Sequence, residues 1–226
     1  MCIDVSRPYS QKTCLTHEFV NLEYKNNKIL TESELEFHIR GCVGNDRLSQ
    51  NKIYISFFGY ALSICERYSN NHNDSLEILN DGFLKIFKEI HRYKPAYADS
   101  LGSFKGWIRK IMIYTAIDNF RKNKKQRLVR NVEPDLEHFA ISYDDALDGL
   151  SYNELKNAIQ LLTPSYRLTF MLYVIEEYTH EEISKRLGIT VGASKSNLAR
   201  GRKQLQKILF QKYEIKLDPK LNDFYF

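Results

Sequence analysis

The chain has 226 residues, 27% of them charged and 43% hydrophobic, with a formal net charge of +5. This length holds one large core or two small ones, and the positive excess takes meaning only from its distribution. Five prolines and ten glycines are too few for the turns of an all-β domain, so an all-α fold is expected. The first twenty residues carry Asp4, Arg7, Gln11, Lys12, His17 and Glu18 without a continuous apolar run. A secretory signal is therefore not expected, and no stretch reaches the ~20 apolar residues of a membrane span. A cytoplasmic protein without membrane insertion follows as the expectation. Cys2, Cys14, Cys42 and Cys65 are widely spaced with no C-x-x-C pair, which favours free thiols over a metal site or disulfide framework. No cofactor is expected.

In chain order, residues 1–39 lack clear periodicity and form an N-terminal extension of unassigned role. Apolar residues then recur at helical spacing in four stretches. Residues 48–68 align Ile53, Phe57, Ala61, Ile64, Cys65 and Tyr68, and residues 75–93 align Leu79, Phe83, Ile86, Phe87 and Ile90. Residues 103–122 align Phe104, Trp107, Ile108, Ile111, Met112 and Thr115, and a fourth stretch runs with interruptions from about 152 to 213. Between the last two, a basic run gives way to Glu133, Asp135, Glu137, Asp144, Asp145 and Asp148, with Pro134 and Gly149 as breakers. The expected organisation is two helical domains at 40–127 and 151–213, a flexible acidic linker at 128–150 and a tail at 214–226.

Residues 178–202, YTHEEISKRLGITVGASKSNLARGR, read as two short helices about a tight turn. Thr179 and Glu182 have the spacing of a capping box, Gly188 suits a positive-φ stop, and Thr190 can cap the next helix. Ile183 and Leu187 share one face, Ile189 plugs the corner, and Val191, Leu198 and Leu205 form a seam. The outer face presents Lys195, Ser196, Ala199, Arg200 and Lys203. Such a helix-turn-helix places its second helix in the DNA major groove; a helical hairpin with a solvated basic face is the plainer reading.

Residues 162–205, with an L-x-P opening, an E-E-I-x-x-x-L-G-I core and V-G-x-x-K-S followed by R-x-R, resemble region 4 of extracytoplasmic-function sigma factors. The resemblance implies a domain that reads the −35 promoter element and docks on the flap of the RNA polymerase β subunit. Lys195, Ser196, Asn197, Arg200 and Lys203 are the implied DNA-binding residues. Asn197 and Ala199 depart from the family's usual Arg and bulkier residue.

Residues 74–87, DSLEILNDGFLKIF, resemble the family's region 2.2, which implies that Asn80, Asp81, Leu84 and Lys85 grip the polymerase β′ clamp. Residues 102–121, GSFKGWIRKIMIYTAIDNFR, resemble region 2.4, with a G-x-F-x-x-W-I opening and Asp118 before basic residues. The family uses this helix and the preceding loop to open the −10 element and hold a flipped base. The implied residues are Tyr93, Lys94, Tyr97, Lys105, Arg109, Lys110, Tyr114, Arg121 and Lys122. Tyr114 stands where the family commonly has Asn, while Trp107 reads as a packed residue. Basic charge continues through Lys124, Lys125, Arg127 and Arg130, and phosphate binding by such a helix weakens with salt.

The resemblance covers about 45–127 and 152–210 and implies an all-α sigma factor with polymerase and promoter DNA as partners. It also implies an anti-sigma factor as antagonist. The alternative is a two-domain regulator that binds DNA without docking on core polymerase, which residues 74–125 distinguish. The departures at Asn197 and Ala199 further raise delivery to DNA by an accessory protein, RNA-guided recruitment being one form. No nucleotide-binding glycine pattern or H-E-x-x-H occurs and the six histidines are dispersed, so no catalytic residues are expected.

Overall fold

The computed structural model describes residues 30–130 and 152–213, and among them every regular element is helical. In order these are α1 (Glu32–Val43), α2 (Arg47–Tyr68), α3 (His72–Glu89) with a 3₁₀ turn (Ile90–Arg92), and α4 (Ser100–Arg130). There follow α5 (Tyr152–Gln160), α6 (Pro164–Phe170) running into a π-helical turn (Met171–Ile175), α7 (His180–Leu187) and α8 (Val191–Tyr213). The described residues form two compact units, 30–62 with 83–109, and 63–82 with 110–213.

In the first unit, α1 falls largely within the segment that shows no periodicity. Only Leu35 and Cys42 of this helix are buried, too few to produce a visible stripe. Its start is nevertheless encoded locally. Thr31 Oγ1 accepts the Glu34 N–H at 3.3 Å, and the Glu34 carboxylate accepts the Thr31 N–H at 2.8 Å, a reciprocal cap. Asp46 then caps α2 by accepting the Ser49 N–H at 2.9 Å. The core joins Ile53, Phe57 and Ala61 of α2 with Phe83 and Ile86 of α3 and Phe104 and Ile108 of α4, each no more than 3% exposed. Phe57 and Phe104 meet edge-to-face with centroids 5.1 Å apart, a geometry that adds to area burial.

The second unit begins with the distal ends of α2, α3 and α4. Ile64, Cys65 and Tyr68, then Ile78 and Leu79, then Met112, Ile113, Ala116 and Ile117 are buried. Gly82 has no room for a Cβ against Met112 Sδ, and Cys65 Sγ lies 3.8 Å from that same sulfur. Burial pushes the Cys65 thiol up to about 12, as expected for an inert core cysteine.

In the remainder of this unit, Pro164 opens α6 at its first position, where its missing N–H costs nothing. Leu168, Phe170, Met171 and Leu172 line the core with Ile183, Leu187, Leu198, Leu205 and Leu209. The expected seven-residue seam of α8 differs in detail. Val191 is only half-buried, whereas Ser194, Leu198, Gly201, Leu205 and Leu209 form the inward stripe, spaced by three and four as a single straight helix requires. A Cβ on Gly201 would sit 3.3 Å from the Tyr166 Cβ, so glycine permits the close approach of α6. Helix α4 extends to Arg130, three residues into the segment read as a linker. The rest of that linker, the chain before residue 30 and the tail lie outside the described residues.

Candidate nucleic-acid interface

The turn between α7 and α8 is built by the residues that mark it in the sequence. Thr179 Oγ1 accepts the Glu182 N–H at 3.2 Å while the Glu182 carboxylate accepts the Thr179 N–H at 2.9 Å. These bonds hold the Glu182 carboxyl below its usual range. Gly188 ends α7 at φ +62° and ψ 45°, a left-handed cap that a Cβ disfavours. Thr190 Oγ1 accepts the Ala193 N–H at 3.0 Å and so caps α8. Ile189 is half-buried at the corner.

Across the two helices, His180 Nδ1 and Ser194 Oγ are 2.9 Å apart, and the imidazole stacks on Tyr173 at 4.6 Å between centroids. Burial, reinforced by Lys195, lowers the His180 pKa. The pair ties the first turn of α7 to the first turn of α8. Lys195, Ser196, Ala199, Arg200 and Lys203 are all exposed on α8, whereas Asn197 is half-buried at the flank of that face. The result is a helix surface of cations and small polar groups.

On α3, Asn80, Asp81, Leu84 and Lys85 are exposed at spacings of one, three and four, which places them on one stripe. Leu84 is 69% exposed, an apolar side chain offered to solvent beside polar ones.

The loop between the 3₁₀ turn and α4 is ordered by its own polar groups. Ser103 Oγ accepts the Ala96 N–H at 2.6 Å, and Asp99 caps α4 by accepting the Gly102 N–H at 2.8 Å. Tyr93 packs its ring on Phe104 and Trp107 at 5.1 and 5.2 Å. It is half-buried, and burial raises its pKa. Lys94 and Tyr97 are exposed. Trp107 is half-buried rather than enclosed, so the aromatic cluster of Tyr93, Phe104 and Trp107 reaches the surface.

On α4, Lys105 and Arg109 are half-buried, and Lys110, Tyr114, Arg121 and Lys122 are exposed. The Lys105 ammonium lies 5.9 Å from the Tyr60 ring centroid, and Lys122 pairs with Glu77 at 3.4 Å. The side chains of Lys124, Lys125, Arg127 and Arg130 lie outside the described residues. Tyr114 has a partner that its position in the sequence does not announce: the Arg186 guanidinium lies 4.7 Å from its ring centroid and 4.5 Å from that of Tyr178.

A buried arginine also escapes sequence reasoning. Arg167 is 2% exposed; it donates to the Gln160 carbonyl at 2.8 Å, to Gln160 Oε1 at 3.0 Å and to Asn70 Oδ1 at 2.6 Å. Burial lowers its pKa to about 10. The one available signal was a cation embedded in the apolar run of α6. Among the described residues, no group of three or more His, Cys, Asp or Glu could hold a metal ion, and no helix is long and apolar enough to cross a membrane.

The family model described as Sigma-70 region 2 matches residues 55–126, and that described as Sigma-70, region 4 matches residues 147–205. The ECF RNA polymerase sigma factor SigE of Mycolicibacterium smegmatis is 28% identical over 152 residues, covering 63% of this chain. The chain spans about half of that relative, 54% of its length. The ECF RNA polymerase sigma factor SigW of Bacillus subtilis is 29% identical over 156 residues, covering 65% of this chain and 81% of the relative. A solved structure of the sigma factor RpoE in complex with the anti-sigma factor NepR from Bartonella quintana aligns with a TM-score of 0.43 at 16% identity. It covers 72% of this chain and 97% of that one.

Proposed function

Since the chain belongs to the sigma-70 family of RNA polymerase sigma factors, in the extracytoplasmic-function group, we propose that it binds core RNA polymerase and directs promoter recognition, −10 opening and transcription initiation. The observation that carries this reading is the presence, in one chain and in region order, of two exposed surfaces. One is the Asn80, Asp81, Leu84 and Lys85 stripe on α3; the other is the basic outer face of α8. A regulator acting without polymerase has use for the second only.

In this reading α8 enters the major groove at the −35 element. Lys195, Arg200 and Lys203 contact phosphates and base edges, Ser196 supplies a small polar contact, and Asn197 acts at the flank. Phosphate contacts position the helix and base-edge contacts specify the site. The α3 stripe docks on the β′ clamp through Leu84, rimmed by Asn80, Asp81 and Lys85, an apolar centre with a polar border. Region 4 docks on the β flap.

At the −10 element, Lys94, Lys105, Arg109, Lys110, Arg121 and Lys122 neutralise phosphates, while Tyr93, Tyr97 and Tyr114 offer aromatic faces to unstacked bases. Base stacking on such rings contributes about 1–3 kcal/mol per base, which offsets the few kcal/mol of unpairing. The polymerase performs the chemistry, so this chain needs no catalytic residue and no cofactor, and it works in the cytoplasm where the polymerase is. An anti-sigma factor would antagonise it by covering these same surfaces.

Two measurements test the reading. Pull-down with core polymerase should retain the chain, and substitution of Leu84 by Arg should abolish retention without unfolding; DNA binding with no core association would refute the proposal. In vitro transcription with core and this chain alone then asks whether an accessory protein must deliver it. Strong −35-dependent initiation removes any need for a recruiter.

A further inference from the structure

A cavity of about 110 Å³ in the second unit lies among the last turn of α2, helix α5 and the π-helical turn. Its walls are mostly apolar. Leu155 and Ile159, one turn apart on α5, line it together with Met171 and Ile175 of the π-helical turn. Met171 is 3% exposed and closes the inner end, whereas Ile175 is 41% exposed and stands at the rim. Close-packed interiors hold few spaces of this size.

Two of the three polar residues on the lining are already engaged. Lys156 pairs with Glu66 at 3.0 Å. Gln160 Nε2 donates to the Glu66 carbonyl, and Gln160 Oε1 accepts from Arg167 at 3.0 Å. The third is Arg67, which lines the cavity with a buried Nε that has no hydrogen-bond partner among the described residues. A buried donor on a charged group is costly to leave unanswered.

We infer that this cavity is a binding site for a short aliphatic carboxylate, whose oxygens pair with Arg67 while its hydrocarbon body fills the space among Leu155, Ile159, Met171 and Ile175. Guanidinium and carboxylate match as planar forks, and such charge-assisted bonds are the strong ones. Water serves this place poorly, because a buried water needs two to four polar partners and these walls offer mainly methyl and methylene groups. A phosphate would bury more charge than one arginine neutralises. A cavity of about 150 Å³ accepts benzene, so one of about 110 Å³ suits a body of about four to six carbons. None of the lining residues belongs to the α3 stripe or to the outer face of α8, and the inference does not depend on the roles assigned to those surfaces.

The test is methyl NMR of the full-length chain labelled at Met and Ile, titrated with sodium acetate, butyrate, hexanoate and octanoate. The methyls of Ile159, Met171 and Ile175 should shift on binding, while that of Met112, enclosed in the core, should not. Affinity should rise about fourfold per added methylene up to hexanoate and then level off or fall as the chain outgrows the space. Hexan-1-ol, equal in length but uncharged, should bind the parent chain at least about tenfold more weakly, the worth of a hydrogen bond to a charged group. Arg67→Leu should lose a similar factor for hexanoate. Ile159→Phe, which fills the cavity and keeps the cation, should abolish binding. No movement of the three methyls at any chain length, equal affinity for hexanol and hexanoate, or full affinity in either folded variant overturns the inference. So does an affinity that climbs through octanoate without a break, which marks association with exposed apolar surface instead of a site of fixed size.

Discussion

Replacement of Arg167 by Ala gives the sharpest measure of what holds the second unit together. The side chain is 2% exposed and makes three hydrogen bonds, two to Gln160 and one to Asn70. Hydrogen bonds to a charged group contribute about 1.5–3 kcal/mol each, and a buried acceptor left alone costs about 1–3 kcal/mol. Against this stands the dehydration of the guanidinium, visible in its pKa of about 10, which the variant no longer suffers. The balance is a net loss of about 3 kcal/mol, at the low end of what removing one partner of a buried charged network costs. For a chain of this size that lowers the melting temperature by about 6–12 °C. Urea denaturation followed by far-ultraviolet circular dichroism reads the difference directly. Arg167→Lys should recover only part of it, since one ammonium cannot reach Gln160 and Asn70 as the planar guanidinium does. An alanine variant within about 0.5 kcal/mol of the parent, the ordinary effect of a surface substitution, would refute the argument that the network is cohesive.

Removing Lys195 and Arg200 together should reduce the slope of log affinity against log salt by about 2 for duplex DNA, as expected when two phosphate contacts are lost; an unchanged slope in a titration series would remove α8 from the interface. His180 is held below its ordinary pKa by burial first and Lys195 second, so the folded state resists its protonation. Its contribution to stability is then full above the unfolded value of about 6.5 and is lost as pH falls through the lower folded value. An imidazole NMR titration with a midpoint at or above about 6.5 would contradict this. Tyr178 is raised to about 12, by burial first and then by its hydrogen bond with Tyr114. Its contribution is complete below about 10 and disappears as pH rises through 12; tyrosinate absorbance in the parent and in Tyr178→Phe isolates that step. Cys65 should resist alkylation at neutral pH and become modified only on unfolding, read by mass spectrometry of the peptide that carries it.

The parts of the fold that repeat at a helical period were legible in the sequence. Ile53, Phe57, Ala61, Ile64, Cys65 and Tyr68 are all buried on α2, as their spacing requires. The α7–α8 turn was equally readable because Thr179, Glu182, Gly188 and Thr190 act on their own neighbours in the chain. Helix α1 was not read, since two buried residues make no stripe; only its Thr31-to-Glu34 spacing betrayed it. The contacts of α5–α7 with residues 66–70 and 114 were illegible for a different reason. Arg167 with Asn70, Glu66 with Lys156, and Arg186 with Tyr114 are pairs separated by tens of residues, and no local spacing encodes who meets whom. Tyr114 could be placed by resemblance on the DNA-facing helix, but its aromatic partner across a guanidinium belongs to tertiary structure.

The π-helical turn at Met171–Ile175 works as a terminator that redirects the chain. Its wide ring brings the Glu176 N–H to the Met171 carbonyl and the Tyr178 N–H to the Leu172 carbonyl, and Glu177 follows at φ +57°, so the chain turns out of the helix rather than continuing it. Deleting Val174 would shorten this exit and shift Tyr173 relative to His180, whose rings stack at 4.6 Å. The approach of α7 to the end of α6 therefore depends on the length of this exit, and length changes within it should be far less tolerated than substitutions.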